Sequence, residues 1–281
     1  DAISMASKNC FDYYKMGSEF GGIGPGKIAD ILILDDYKKI KINKVILGGK
    51  IVVSNGKILE IIHSPKIPTW IQKTVKLPKL TTENFILTSK NNTEIVNIIS
   101  MKTEIVTKKD TANLSVKDSN VMASHDKDIW KVTAMDRTFG SKTKTIGFLK
   151  NFGADVGAFA STWSFHENDM IVIGSNEKDM ADAANKLVKS QGGLIVVKNG
   201  KTLASLPFQM GGIISTDSID KVTTNFTKIN DVLLDSGCKF KKPHLIPLFL
   251  PFLALPDIRI MYSGIVDVKA RKFIPTIQTT V

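Results

Sequence analysis

Met170-Ile171-Val172-Ile173-Gly174-Ser175-Asn176-Glu177-Lys178-Asp179-Met180 is the stretch on which the fold turns. An apolar, β-branched run stops at a glycine, and Ser175 and Asn176 follow with side-chain oxygens suited to capping a helix whose first turn carries Glu177 and Asp179. Met180, Ala183, Ala184, Leu187 and Val188 then recur at helical spacing and form one apolar stripe. Gly192-Gly193, able to adopt a left-handed cap, ends that helix. Working outward, apolar runs at 129–135, 143–149 and 156–164 join 170–174 as strands, and 194–198 turns into 202–206 through Asn199-Gly200, a strong hairpin signal. A second amphipathic helix runs from about Ser218, with Ile219, Val222, Phe226, Ile229 and Leu233 on one face and Gly237 at its end. Two helices against a mixed sheet make an α+β domain.

Nearer the N-terminus the pattern changes. Pro25-Gly26 suits a type II turn, Ile28 to Leu34 reads as a strand, and Gly48-Gly49 and Asn55-Gly56 supply the two tight turns of an antiparallel meander. Ala2, Met5, Ala6 and Asn9 lie at helical spacing before it. Prolines at 65, 68 and 78 read as extended connectors, and 81–128, rich in Thr, Asn, Lys and Ser with short β-branched pairs, reads as edge strands separated by loops. The expected organisation is an opening helix over 1–17, a small sheet over 18–64, a connector with short strands over 65–128 and an α+β domain over 129–281.

Composition narrows the function. The formal charge of +11 comes almost wholly from singly scattered lysines, with only Arg137, Arg259 and Arg271 available for bidentate phosphate contacts, so a nucleic-acid partner is not expected. No window is long and apolar enough to span a bilayer, no charged-then-apolar leader opens the chain, and two cysteines without a pairing pattern agree with a reducing compartment. A cytoplasmic protein without membrane attachment is expected. His63, His125, His166 and His244 show no ligand spacing, and Cys10 and Cys238 lack a Cys-x-x-Cys partner, so no metal site is expected within this chain.

Two blocks carry a resemblance. Gly21-x-Ile23-x-x-Gly26-x-x-Ala29-Asp30, four hydrophobic residues, and a later Val45-x-x-x-Gly49-Lys50 are similar to the β-sandwich segment that follows the (β/α)8 barrel of metal-dependent amidohydrolases. Gly147 to Gly153, Gly157 to Thr162, Ile171 to Met180, Gln191 to Val197 and Phe252-Leu253-Ala254-Leu255-Pro256 together resemble the C-terminal domain of microbial adenine deaminases. The resemblance implies hydrolysis of adenine to hypoxanthine and ammonia, a role in purine salvage, and a homo-oligomer when full length. It also implies a dinuclear Mn or Fe site on a barrel of roughly 250 residues that 281 residues cannot also hold, so the chain is expected to be a piece whose barrel is largely missing and which is inactive alone. The opening helix would be the last of that barrel. Another nucleobase deaminase, or a non-catalytic interaction module left after loss of the barrel, is the alternative.

One segment offers chemistry. Trp163-Ser164-Phe165-His166-Glu167-Asn168-Asp169 places polar side chains and two aromatics between two apolar strands. Related deaminases read more like His-Asp-x-His-Asn here, which His166 and Asn168 match only with a one-residue displacement. The segment is expected either to close over the purine, with His166 or Glu167 hydrogen-bonding the ring, Asn168 beside them and Phe165 or Trp163 stacking, or to be a polar turn. Asp136-Arg137 at a strand end is the secondary candidate, where acid and guanidinium could meet a ligand, with mutual pairing the favoured expectation. Gly211-Gly212 admits either a close backbone approach or a plain turn. His63, His125 and His244 are expected at the surface, and Cys238 as a small buried thiol.

Overall fold

The computed structural model describes residues 1–60, 66–165 and 167–278. The chain divides into two compact units, Asp1–Lys66 and Ile67–Val281. In the first, α1 (Ala2–Met5) and α2 (Lys8–Tyr13) precede four strands, β1 (Ile31–Asp36), β2 (Lys41–Leu47), β3 (Lys50–Ser54) and β4 (Lys57–Ile58). These form an antiparallel sheet in the order β1-β2-β3-β4. The turns fall where the sequence puts them: Gly48 and Gly49 have φ of 53° and 83°, and Asn55 and Gly56 of 48° and 73°, the paired positive values a two-residue hairpin needs.

The second unit is built on nine strands: β5 (Thr93–Met101), β6 (Thr107–Lys117), β7 (Asn120–Val121), β8 (Ile129–Asp136), β9 (Lys144–Lys150), β10 (Ala158–Ser161), β11 (Asp169–Gly174), β12 (Gly193–Lys198) and β13 (Lys201–Pro207). Their order is β13-β12-β10-β11-β8-β9-β5-β6-β7, with β5 and β9 parallel and the other neighbours antiparallel. The mixed α+β architecture is therefore present. Helices α3 (Glu177–Ser190), α4 (Ile219–Asp235) and α5 (Ile246–Phe249), and a small sheet of β14 (Ile258–Met261), β15 (Gly264–Asp267) and β16 (Lys272–Ile274), complete the unit. Among the described residues no helix is long and apolar enough to cross a membrane.

Strand alternation sorts the core into two faces. Val132, Ala134, Phe159, Ile171, Ile173, Leu194 and Val196 point to one side, where they pack with Ile229 and Leu233 of α4 and Ile258, Ile260 and Ile265 of the small sheet. Met135, Ala158, Ala160, Met170, Val172, Ile195 and Val197 point to the other and meet Met180, Ala183, Ala184 and Leu187 of α3. Helix α3 begins as expected, with Asn176 Oδ1 accepting from Asp179 N at 2.8 Å. Its left-handed C-cap is Gln191, φ 60°, not a glycine.

The sequence sets 65–128 apart as a connector with short strands. In the structure β5, β6 and β7 belong to the main sheet, and residues 67–128 share one compact unit with 129–281. The reason is physical: β5 is buried along most of its length, so it carries no polar alternation, and its Asn97 and Ser100 disguise a core strand. Asn97 Nδ2 donates to Pro275 O at 2.7 Å, and Thr107 Oγ1 at the start of β6 donates to Ile258 O at 2.8 Å.

Candidate functional site

One end of the main sheet gathers the polar residues of interest. There β8 and β10 finish, β11 and β12 start, and Asp136 and Asp169 are Cα partners in the β8–β11 ladder. Both side chains are buried, at 2% and 1% exposure. Directly opposed acids are unfavourable unless each is compensated.

The two are compensated differently. Asp136 does not pair with Arg137. Its Oδ1 accepts from the amides of Thr138 and Phe139, both at 3.0 Å, and its Oδ2 accepts from the amide and hydroxyl of Ser141. Burial opposes the charged form, but the Ser141 hydroxyl and these amides outweigh it and hold the carboxyl below its ordinary value. Asp169 Oδ2 accepts from Tyr262 N at 2.9 Å, tying the β14–β15 turn to the sheet, whereas its buried Oδ1 has no partner among the described residues. Burial pushes this carboxyl up to about 7. The Tyr262 amide and the Arg137 charge oppose that shift, and Glu167 and Asp136 add to it.

Arg137, 1% exposed, spans the site. Its Nη1 donates to Gly211 O at 3.1 Å and its Nη2 to Asn168 Oδ1 at 3.3 Å, and burial lowers the guanidinium to about 10 although Asp169 favours its charge. From the other side the buried Thr162 Oγ1 donates to Gly212 O at 2.6 Å and accepts from Gly193 N at 2.8 Å. The 211–212 turn is thus gripped by two side chains, and only glycine fits: with φ of 74°, a Cβ on Gly212 would lie 2.7 Å from Arg137 Nη1. The close backbone approach, one of two readings of Gly211-Gly212, is what forms.

The predicted loop is pinned internally, since Ser161 Oγ accepts from Trp163 N and Ser164 Oγ from Asn168 N, each at 2.9 Å. Its two aromatics have separate neighbours. Trp163 packs with Phe226 at 5.4 Å and Phe208 at 6.2 Å and stacks on His244 at 6.1 Å, while the half-exposed Phe165 lies 4.7 Å from Phe252 and 5.2 Å from Phe249. Glu167 and Asn168 are half-buried. His166, like His63, lies outside the described residues. His244 is not the surface residue expected: it is half-buried in this aromatic cluster, with Nδ1 2.8 Å from Asn230 Oδ1, and burial lowers its pKa. Cys238 is buried, as expected.

Sequence reasoning placed Asp169 in the polar run but gave it no role of its own, and missed Thr162 because nothing local marks it. The signal for Asp169 was the strand register, which sets it opposite Asp136. Among the described residues no group of three or more His, Cys, Asp or Glu is placed to hold a metal ion. The two acids do not fit one either, since Asp136 is filled by donors and Asp169 neighbours a guanidinium.

Comparison with known proteins gives this arrangement its context. An adenine deaminase of Cenarchaeum symbiosum (strain A) is 52% identical over 276 residues, covering 98% of this chain and 45% of that protein. One from Clostridium botulinum (strain ATCC 19397 / Type A) is 32% identical, covering 97% and 46%, and one from Methanosphaera stadtmanae 29% identical, covering 99% and 51%. The chain spans about half the length of the curated relatives it matches. The family described as the adenine deaminase C-terminal domain matches residues 104–272, which include the opposed acids, the arginine clamp, the loop and the 211–212 turn. With most of its length matched and the whole site inside the match, this chain belongs to the adenine deaminase C-terminal domain family.

Proposed function

We propose that this chain is the C-terminal part of an adenine deaminase, which converts adenine and water to hypoxanthine and ammonia. The observation that carries the reading is identity of 52% to a protein of that name along 98% of the chain. Residues 1–17, which fold as α1 and α2 and not as the one helix expected, close an amidohydrolase barrel, 18–64 are a β-sandwich segment, and a pair of Mn or Fe ions that activates the attacking water belongs to that barrel outside this sequence. The enzyme serves purine salvage in the cytoplasm as a homo-oligomer, with neither nucleic acid nor membrane as partner.

Within this chain the 163–169 loop faces the substrate. Arg137 binds the Asn168 side chain and the Gly211 carbonyl, so Asn168 is tethered to the 211–212 turn before substrate arrives. At the end of that loop burial pushes the Asp169 carboxyl up to about 7, with the Arg137 charge opposing the shift. His166 and Glu167 supply hydrogen bonds toward the purine or a metal ligand, with Phe165 beside them.

The test is ammonia release from adenine with added Mn²⁺, comparing this chain with the protein expressed from the whole coding sequence. Activity confined to the longer protein is expected. Activity in neither would remove the assignment, and activity in this chain alone would overturn the placement of the metals. In the longer protein, His166→Ala that leaves both kcat and KM unchanged would eliminate the loop's role.

A further inference from the structure

Asn-Gly occurs twice in the sequence, at Asn55-Gly56 and Asn199-Gly200, and each pair is followed by a lysine. Both pairs are hairpin tips with both residues at positive φ, 48° and 73° at the first and 52° and 76° at the second. Such a pair can react with itself, because glycine has no side chain to keep its amide nitrogen away from the asparagine carboxamide. Attack requires the asparagine to rotate out of its hairpin conformation, so the rate follows the ease with which each turn opens. The two turns are held very differently. At 199–200, Asp179 of α3 accepts from the amides of Asn199 at 2.8 Å and Gly200 at 2.7 Å, and Lys186 Nζ donates to Gly200 O at 3.0 Å. The nitrogen that would attack is thus already engaged by a carboxylate, and the strand entering the turn, β12, is buried from Gly193 to Val197. At 55–56, Asn55 N donates to Asn43 O at 2.9 Å, and beyond its chain neighbours nothing lies within 4 Å of where a Gly56 Cβ would stand. The strand leaving this turn, β4, has two residues and lies at the sheet edge, and none of the described residues of the first unit is buried. A short, exposed edge strand frays at little cost.

We infer that Asn55 is a site of spontaneous deamidation in the folded protein and that Asn199, in the same Asn-Gly-Lys sequence, is protected by Asp179. The Gly56 nitrogen bonds to Asn55 Cγ, the Cγ–Nδ2 bond breaks, and ammonia departs with the Gly56 amide proton, leaving a five-membered succinimide. Water then opens the ring at either carbonyl. Cleavage of the new bond gives aspartate, and cleavage of the original peptide bond gives isoaspartate, with the chain running through Cβ and Cγ. Water is the only co-reactant. Either product places a carboxylate at the hairpin tip, and the isoaspartyl form also lengthens a two-residue turn by one backbone atom, which releases β4 from β3. The chemistry is independent of adenine turnover.

The 281-residue chain is aged in mildly alkaline buffer, and the peptides carrying Asn55 and Asn199 are followed by mass spectrometry for conversion of amide to acid, with isoaspartate resolved chromatographically. Asn55 should convert at least tenfold faster than Asn199, a ratio equivalent to about 1.4 kcal/mol. In guanidinium chloride the two rates should converge, because only the shared Asn-Gly-Lys sequence then remains. Asp179→Ala, which removes the acceptor of both amides, should speed conversion of Asn199 and leave that of Asn55 unchanged. Comparable rates in the folded chain would overturn the inference. So would a ratio that survives in denaturant, since flanking sequence would then set it, or continued protection of Asn199 in folded Asp179→Ala. If that variant loses cooperative unfolding, the parent chain compared in buffer and in denaturant still decides.

Discussion

Asp136 and Asp169 stand directly opposite each other across the β8–β11 ladder, and only Asp136 has both carboxylate oxygens filled by donors. The same short stretch of sheet therefore holds one acid charged far below neutrality and one that takes up a proton near pH 7. Arg137, Glu167 and Asp136 are the charged groups that act on the second.

The sign of the pH effect follows. Asp169 has a raised pKa, so between about pH 4 and pH 7 the folded protein binds a proton that the unfolded chain has released. This group's contribution to stability falls as pH rises through that window and is flat above it. Asp169→Asn keeps an acceptor for Tyr262 N and cannot titrate. Urea unfolding should show the variant more stable than the parent by about 1–3 kcal/mol at pH 8, with the gap closing toward pH 4. A gap that does not change with pH would refute the assignment.

Arg137→Met keeps the volume and removes the clamp on Gly211 O and Asn168 Oδ1. It should cost about 2–3 kcal/mol, because two acceptors and the Asp169 charge lose their buried partner. Hydrogen exchange at the amides of 211–214 should speed up at least tenfold relative to amides of β12. Unchanged exchange there would show that Thr162 holds the turn unaided.

Lys131, 2% exposed on β8, donates to Phe85 O at 3.1 Å, Asn120 Oδ1 at 2.7 Å and Glu177 Oε1 at 2.6 Å. Burial lowers its pKa while Glu177 opposes the shift, and all three donors have partners, which marks it as structural. Lys131→Ala should destabilise by about 3–5 kcal/mol, and Glu177→Gln, which keeps an acceptor at a more exposed position, by about 1 kcal/mol. Denaturant titration of both would reveal an error if the order reversed.

Gly157 is tied to a helix by lack of space. A Cβ there would stand 1.7 Å from Asp179 Oδ2, and Asp179 accepts from the amides of Asn199 and Gly200 at 2.8 and 2.7 Å, holding the β12–β13 turn. Gly157→Ala should cost about 2–3 kcal/mol, since the displaced carboxylate gives up those bonds. A change in the midpoint of thermal unfolding of less than 1 °C would show that the helix yields freely.

The elements legible in the sequence were those whose signals are local. Asn176 caps α3, Asn199-Gly200 turns β12 into β13, and the 170–174 run becomes a strand, each through contacts within a few residues. What was illegible depends on distant partners. Asn97 reads as a loop residue until Pro275 accepts its side chain, and Thr107 until Ile258 does. Polarity singles out 163–169 as a candidate, but not the separation of Trp163 from Phe165, since their neighbours arrive from 208–252. Adjacency of Asp136 and Arg137 suggested a pair. The acid instead folds the following turn onto itself, while the arginine reaches a segment 74 residues on.

The place of β5 bears on how this region can be divided. The family match starts at residue 104, yet β5 lies inside the sheet, parallel to β9 on one side and antiparallel to β6 on the other. A chain cut at 104 would lose an interior slat rather than a trailing end. β9 would be left with unpaired backbone along a largely buried edge, a template for joining other molecules, and β6 would lose its link to the rest of the sheet. The span matched in sequence is therefore smaller than the compact unit of the structure, and excision should begin no later than the connector near residue 67.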